Sequence, residues 1–369
     1  MTTYGQVGVD VDIEAEAAKR LYTAAKETWP VRVGRIGEVS TYFDDFSGTR
    51  GVHIGGLPDG TVMMMNFDGI GTKVRLAMLL GRYNTAAYDL IAMVCDDTVI
   101  RGAEPIMFGS SLDVNTLGQD MGRMPYIDGL CEGYSEAGRY ANVSIVNGEI
   151  AQLNTYISID GDGFKCIWNG ATTWLAHESR LISGRDVRIG DFLLGLREKT
   201  MRSNGNSLVF RILTENRDVI TADILEAALA PSQIYTPTII DMTGGYDLNR
   251  LAKVKIHAMA HITGSGPAGK IARALKPSGL GAVLDDPFQP ADLMLLCQQL
   301  GDVTDYEAYR TWNMGQGMVI ITPDPGSAIA VAESHGIEAR VIGRVTAEPG
   351  IKIHSQGYNR RETPILEYK

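Results

Sequence analysis

Apolar positions recur at helical spacing over 13–28, where Ala15, Ala17, Ala18, Leu21, Ala24 and Ala25 mark a helix that Pro30 stops. A strand-like piece near 50–55 and a continuous apolar run at 61–67 flank the Pro58-Asp59-Gly60 turn signal. An alternating series follows: a helix over 73–80, then a helix from an N-cap at Thr85 to about Arg101 with Gly102 as its stop. A strand at 106–108, a helix over 120–140 and a strand at 143–146 continue it. Asp160-Gly161-Asp162-Gly163 carries a hairpin signal. Past residue 178 the spacing changes, with a strand over 192–196, a helix over 208–214, a strand over 256–262 and a strand over 318–321. The tail after Ala347 is polar and receives no clear element. This pattern predicts an α/β chain. Its 369 residues exceed the usual size of one core, so two domains are expected, 1–178 and 179–369.

Composition narrows the chemistry. Hydrophobic residues make up 44% and charged residues 21%, which excludes a disordered chain. With 34 Lys and Arg against 44 Asp and Glu the net charge is −10, and no basic run stands out, so nucleic acid is not an expected partner. The cysteines (Cys95, Cys131, Cys166, Cys297) are scattered, with no C-x-x-C pair, which suits buried thiols in a reducing compartment. No leader pattern and no apolar run of spanning length is present, so a soluble, cytoplasmic protein without a membrane partner is expected.

The chemical signal concentrates where the run at 61–67 ends, in Asp68-Gly69-Ile70-Gly71-Thr72-Lys73. Glycines let backbone N–H groups approach phosphate oxygens, a helix start favours an anion, and a lysine adds a point charge. The spacing is not that of a P-loop, and a plain strand, turn and capped helix would also write this pattern. Asp96 and Asp97 stand near the C-terminal end of a helix, where the macrodipole disfavours anions. A bound cation would explain them, as would a solvated surface pair. Glu149 follows the strand at 143–146, so three acidic positions follow apolar elements in one alternating series. Ligands of α/β folds gather at strand ends, and one shared site is expected.

In the second half, the polar run 202–207 precedes a helix and reads either as an anion-binding start or as simple capping. Gly264-Ser265-Gly266-Pro267-Ala268-Gly269 satisfies G-x-G-x-x-G, with Asp285 and Asp286 near the ribose position. The strand before it carries His257 and His261 where a dinucleotide fingerprint wants apolar residues, and the helix after it is short. A glycine-rich anion loop is the better description.

Taken in order, Val7-Gly8-Val9-Asp10, the 68–73 run, Gly102-Ala103-Glu104-Pro105, Ser203-Asn204-Gly205, His261-Ile262-Thr263-Gly264 and the 309–319 run resemble the aminoimidazole ribonucleotide synthetase (phosphoribosylformylglycinamidine cyclo-ligase) family. The resemblance implies a two-domain α/β (α+β) fold. Its N-terminal sheet pairs across a homodimer and its C-terminal sheet is covered by helices. It implies an ATP-dependent ligase of purine biosynthesis that uses ATP and Mg2+ to phosphorylate an amide oxygen of a phosphorylated small-molecule substrate. An imidazole ring then closes as phosphate leaves. By matching motifs, Asp68, Asp97 and Glu149 would carry the metal, and Gly69, Gly71, Thr72 and Lys73 the nucleotide phosphates, with Asp96 beside them. Asn204, Gly264 and Gly266 would line the substrate side, and Asp68, Lys73 and Arg202 would be the catalytic positions. The chain departs from the pattern at Phe67, Asn147, Ile150 and the 108–111 region, and Arg202 stands where the family usually has histidine. Metal carboxylates survive better than substrate-facing positions. A relative activating another amide, a kinase of a small metabolite and a non-catalytic nucleotide-binding subunit are the alternative readings.

Overall fold

The computed structural model describes residues 9–43, 50–118, 120–157 and 163–369. Most of the predicted hairpin at 160–163, and Val7-Gly8 of the first motif, lie outside the described residues. The chain forms two compact units, the first from residues 1–59, 63–95 and 105–174, the second from 60–62, 96–104 and 175–369. The division is therefore discontinuous, and residues 96–104 group with the second unit.

In the first unit α1 (Val11–Lys26) starts at Asp10, whose carboxylate accepts from the backbone N–H groups of Asp12 and Ile13. A ribbon of β1 (Val39–Thr41) and β2 (Arg50–Val52) follows. Then come β3 (Thr61–Gly69), α2 (Val74–Leu80), α3 (Ala86–Val99), β4 (Glu104–Val114), α4 (Met124–Ala141), β5 (Ser144–Gln152) and β6 (Cys166–His177). Among the described residues the sheet has the order β3-β6-β4-β5. Strand β5 does not stop at Asn147 as its glycine signal predicts. It runs to Gln152 because Gly148 and Glu149 stay in parallel register with Ser110 and Ser111 of β4. Ladder pairing outweighs the weak strand preference of one glycine. Behind the sheet Phe108, Tyr134 and Trp168 are buried, with the Tyr134 and Trp168 ring centroids 5.0 Å apart.

The second unit contains β7 (Phe192–Arg197), α5 (Asn206–Glu215), α6 (Ala222–Leu229), α7 (Thr236–Thr243), β8 (Ala258–His261) and α8 (Gly266–Leu275). It continues with β9 (Gly281–Leu284), α9 (Asp292–Gly301), α10 (Asp305–Thr311), β10 (Gln316–Thr322), α11 (Pro325–Ser334) and β11 (Ala339–Thr346). The tail left without an element forms two further strands, β12 (Ile351–His354) and β13 (Ile365–Tyr368). The sheet order is β13-β12-β9-β11-β7-β10-β8. Every residue of β10 is buried, as its apolar Met318–Ile321 run demands of a central strand. Leu194, Leu196, Ile239, Met242, Met318 and Ile320 form the core between this sheet and the helices α7 and α11. A side chain at Gly317 would collide with the ring of Tyr235, whose hydroxyl donates to the Arg197 carbonyl at 2.7 Å. The mixed α/β architecture with a helix-covered C-terminal sheet is as expected. All four cysteines are free thiols, and burial pushes those of Cys131, Cys166 and Cys297 up to about 12. Among the described residues no helix is long and apolar enough to cross a membrane.

Candidate functional site

Asp68 and Gly69 are the last residues of β3, not a loop beyond it. One Asp68 carboxylate oxygen accepts from the Gly69 N–H at 2.7 Å, and the Ile70 N–H donates to the Trp168 carbonyl at 3.1 Å. A side chain at Gly69 would displace the Asn169 amide and crowd the Trp168 carbonyl, so strand packing already favours glycine there. Gly71 has φ +65°, and Gly71–Lys73 makes a single 3-10 turn into α2. Gly71 and Thr72 remain open to solvent in whole or part. Lys73 corrects the expectation. Its ammonium turns inward onto Asp89 at 2.9 Å, with both side chains 1% exposed. The Lys73 charge is spent inside the first unit, not presented to a ligand.

Glu149 is exposed in the middle of β5 and lines a cavity of about 390 Å³ with Glu14, Arg50, Ser110, Tyr134 and Asn147. Strands β3 and β5 are the two edges of their sheet, so Asp68 and Glu149 are separated by three strand spacings, roughly 14 Å. Among the described residues no three His, Cys, Asp or Glu side chains gather closely enough to hold a metal ion. Alternation along the chain placed these acids near strand ends without fixing which strands neighbour each other. Within the first unit, Asp68 and Glu149 are therefore not brought to one ion.

In the second unit the adjacent acids separate. Asp96 is fully buried. One oxygen accepts from the Tyr235 N–H and the Thr236 hydroxyl, each at 2.9 Å, at the start of α7, and the other from Arg202 at 3.2 Å. Asp96 is thus a helix cap and ion-pair partner, which corrects its assignment to the nucleotide. Its neighbour Asp97 is 27% exposed and takes a 2.6 Å hydrogen bond from His261 Nδ1. Burial alone would raise the Asp97 pKa. The His261 hydrogen bond leads the influences that overcome it and hold the carboxyl below its ordinary range. An ionised, partly exposed carboxylate with one oxygen fixed suits a hard divalent cation.

Arg202, expected at the catalytic centre, is 2% exposed. Its guanidinium donates to Glu198 at 2.9 Å, the Gln233 carbonyl at 2.8 Å, Asp96 at 3.2 Å and His261 Nε2 at 2.6 Å. With those partners its two terminal nitrogens are engaged inside the second unit, against Glu198, Asp96 and His261.

The predicted Asn204, Gly264 and Gly266 come together around these groups. A side chain at Gly264 would press on the Asn204 amide, and one at Gly266 would enter the Tyr309 carbonyl. The Trp312 indole N–H donates to the Gly205 carbonyl at 3.3 Å, so the 203–206, 263–266 and 309–316 segments form one packed corner. Helices α5 and α8 both begin there, behind left-handed residues at Gly205 and Ser265 and with no side-chain cap. Ser203 Oγ, Asn204 Oδ1 and Asn206 Oδ1 are buried without a hydrogen-bond partner. Two uncapped helix starts beside unmet polar oxygens make a site for an anion that also carries donors. Sequence reasoning quoted His261 and the run 202–207 but gave His261, Ser203 and Asn206 no individual role. The signal for His261 was present, as a histidine breaking an apolar strand.

Residues 51–169 match the family model for the AIR synthase related protein N-terminal domain, and residues 188–356 the model for its C-terminal domain. The chain belongs to the AIR synthase related family. Phosphoribosylformylglycinamidine cyclo-ligase of Bacillus cereus (strain B4264) is 29% identical over 360 residues, 94% of this chain and 96% of that protein. Two solved structures share the family fold. T. maritima PurL complexed with FGAR has a TM-score of 0.56 at 16% identity, covering 97% of this chain. The hydrogenase maturation protein HypE in complex with ATP has a TM-score of 0.58 at 15% identity, covering 86% of this chain and 87% of its own. This chain spans about half the length of the PurL chain, 52%.

Proposed function

We propose that the chain is an ATP-dependent cyclo-ligase that phosphorylates the amide oxygen of formylglycinamidine ribonucleotide and closes the ring to aminoimidazole ribonucleotide. The observation that carries this reading is the likeness to the Bacillus cyclo-ligase along 94% of the chain. Amide oxygen is a poor leaving group. Transfer of the γ-phosphoryl to that oxygen yields ADP and an activated carbon. The neighbouring nitrogen attacks this carbon, and inorganic phosphate departs with the oxygen. The protein's part is positioning and neutralisation of charge. Asp97 would hold Mg2+, which takes one or two carboxylates plus nucleotide phosphates and needs no all-protein cage. The metal would supply charge neutralisation at the phosphates. The uncapped starts of α5 and α8 fit an anionic end of the substrate.

A different acceptor is the second reading, supported by one observation. Two of the departures, Asn147 and Ile150, and Ser110 from the departing 108–111 region line the same first-unit cavity with Glu149 and Arg50. Incubation with ATP, Mg2+ and formylglycinamidine ribonucleotide is expected to release one phosphate per ring closed. Silence with that substrate, and phosphate release on another amide, would transfer the assignment to the second reading.

A homodimer and a cytoplasmic location accompany the proposal. Strand β3 is a sheet edge whose Met63, Met65 and Phe67 are 63%, 58% and 70% exposed, an apolar border of the kind that pairs with another copy. Sedimentation equilibrium is expected to give twice the 40.0 kDa chain mass, and Met65→Lys to shift it toward one. A wild-type monomer contradicts this part.

A further inference from the structure

We propose that Arg202 is a positioning residue that fixes the proton of His261 on Nδ1, so that the imidazole serves as a rigid donor to Asp97. A guanidinium has only donors. Its Nη2 lies 2.6 Å from His261 Nε2 and 3.2 Å from Asp96, so one Nη2 proton goes to each. Nε2 must then be the accepting, unprotonated nitrogen. The ring proton sits on Nδ1 and is donated to Asp97 at 2.6 Å. Asp96 lies 3.9 Å from Nε2, too far to draw a proton onto that nitrogen. Glu198, at 2.9 Å, and the Gln233 carbonyl, at 2.8 Å, anchor the other arm of the guanidinium, so its direction is fixed from two sides.

The chain of contacts has one polarity: Glu198 and Asp96 hold Arg202, Arg202 donates to His261, and His261 donates to Asp97. A histidine in place of Arg202 could donate or accept, and would leave the His261 tautomer open. The permanent cation removes that freedom. The exchange at position 202, which looks like the loss of an acid–base group, is in this geometry an orienting device for a carboxylate two contacts away. Its value for cation binding rests on the proposed ATP and Mg2+ reading; the hydrogen-bond polarity does not.

The test is long-range 1H–15N correlation spectroscopy on the full chain labelled with 15N-histidine. The His261 signal is identified among the six histidines as the one lost in His261→Gln. Wild type is expected to show a proton on His261 Nδ1 and a bare Nε2. Arg202→Lys, which still donates, is expected to keep that pattern, and Arg202→Met to shift it toward the Nε2–H form. A wild-type signal with a proton on Nε2 overturns the proposal, as does a folded Arg202→Met variant with an unchanged pattern. Should Arg202→Met not fold, the wild-type spectrum alone decides. A protein inactive on every amide with ATP would fail the cyclo-ligase reading and leave this spectrum unaffected.

Discussion

Asp97→Asn is expected to lower ATP-dependent phosphate release by at least about a hundredfold, because changing even the partners of a metal ligand costs roughly 10- to 100-fold. The substitution is close to isosteric. The carbonyl oxygen of the new amide can still accept from His261 Nδ1, so the ring stays in place and only the charge is lost. Partial exposure of the side chain means the fold has little at stake, and the thermal midpoint is expected to stay within a few degrees of wild type. His261→Gln is expected to fall within the 10- to 100-fold range for the same reason. The control is Asp96→Asn. It strikes the α7 cap and the buried Arg202 pair, and is expected to lower the melting temperature along with activity. An Asp97→Asn protein with wild-type turnover would remove Asp97 from the chemistry.

The largest stability effect is expected at Lys73→Met. Lys73 and Asp89 are both 1% exposed and 2.9 Å apart, so the substitution leaves the Asp89 carboxylate buried without this cation. Such a break costs about 3–5 kcal/mol, whereas replacing both members of a buried pair by apolar residues is often near neutral. Lys73→Met with Asp89→Leu is therefore expected to recover most of the loss. At roughly 2–4 °C per kcal/mol for units of this size, the single variant should melt about 6–20 °C lower. A lysine that served nucleotide phosphate would behave the other way, with weakened ATP binding and an unchanged melting curve. Thermal unfolding and ATP titration on the same two variants separate these outcomes.

The contrast at Lys73 shows where sequence reading ran out. The Asp68–Lys73 run has the residue types of a phosphate loop, but a lysine's partner is set by tertiary packing. Asp89 lies 16 positions on, across a helix break, and carries no mark of its role. The pair Asp96-Asp97 was more legible than it was made to be. Consecutive helical residues point about 100° apart, so two adjacent acids on a packed helix meet different surroundings. Here Asp96 faces inward and Asp97 does not. The long apolar strands and helices were read well because burial writes its period into the chain. Strands β12 and β13 were not, because four residues give too short a sample, although Ile351 and Ile353 alternate with Lys352 and His354 as a half-buried strand requires. The corner formed by Asn204, Gly264 and Gly266 was legible as three separate motifs. Their meeting, and the orphaned oxygens of Ser203 and Asn206, needed the fold.

The measurement that bears most directly on the whole account is calorimetric titration of ATP into wild type and Asp97→Asn, with Mg2+ and with chelator. Wild type is expected to bind ATP at least about tenfold more tightly when Mg2+ is present, and Asp97→Asn to lose that dependence while keeping its fold. Equal affinity with and without the metal, or a metal dependence that survives in Asp97→Asn, would contradict a cation–phosphate site built on the Asp97 carboxylate.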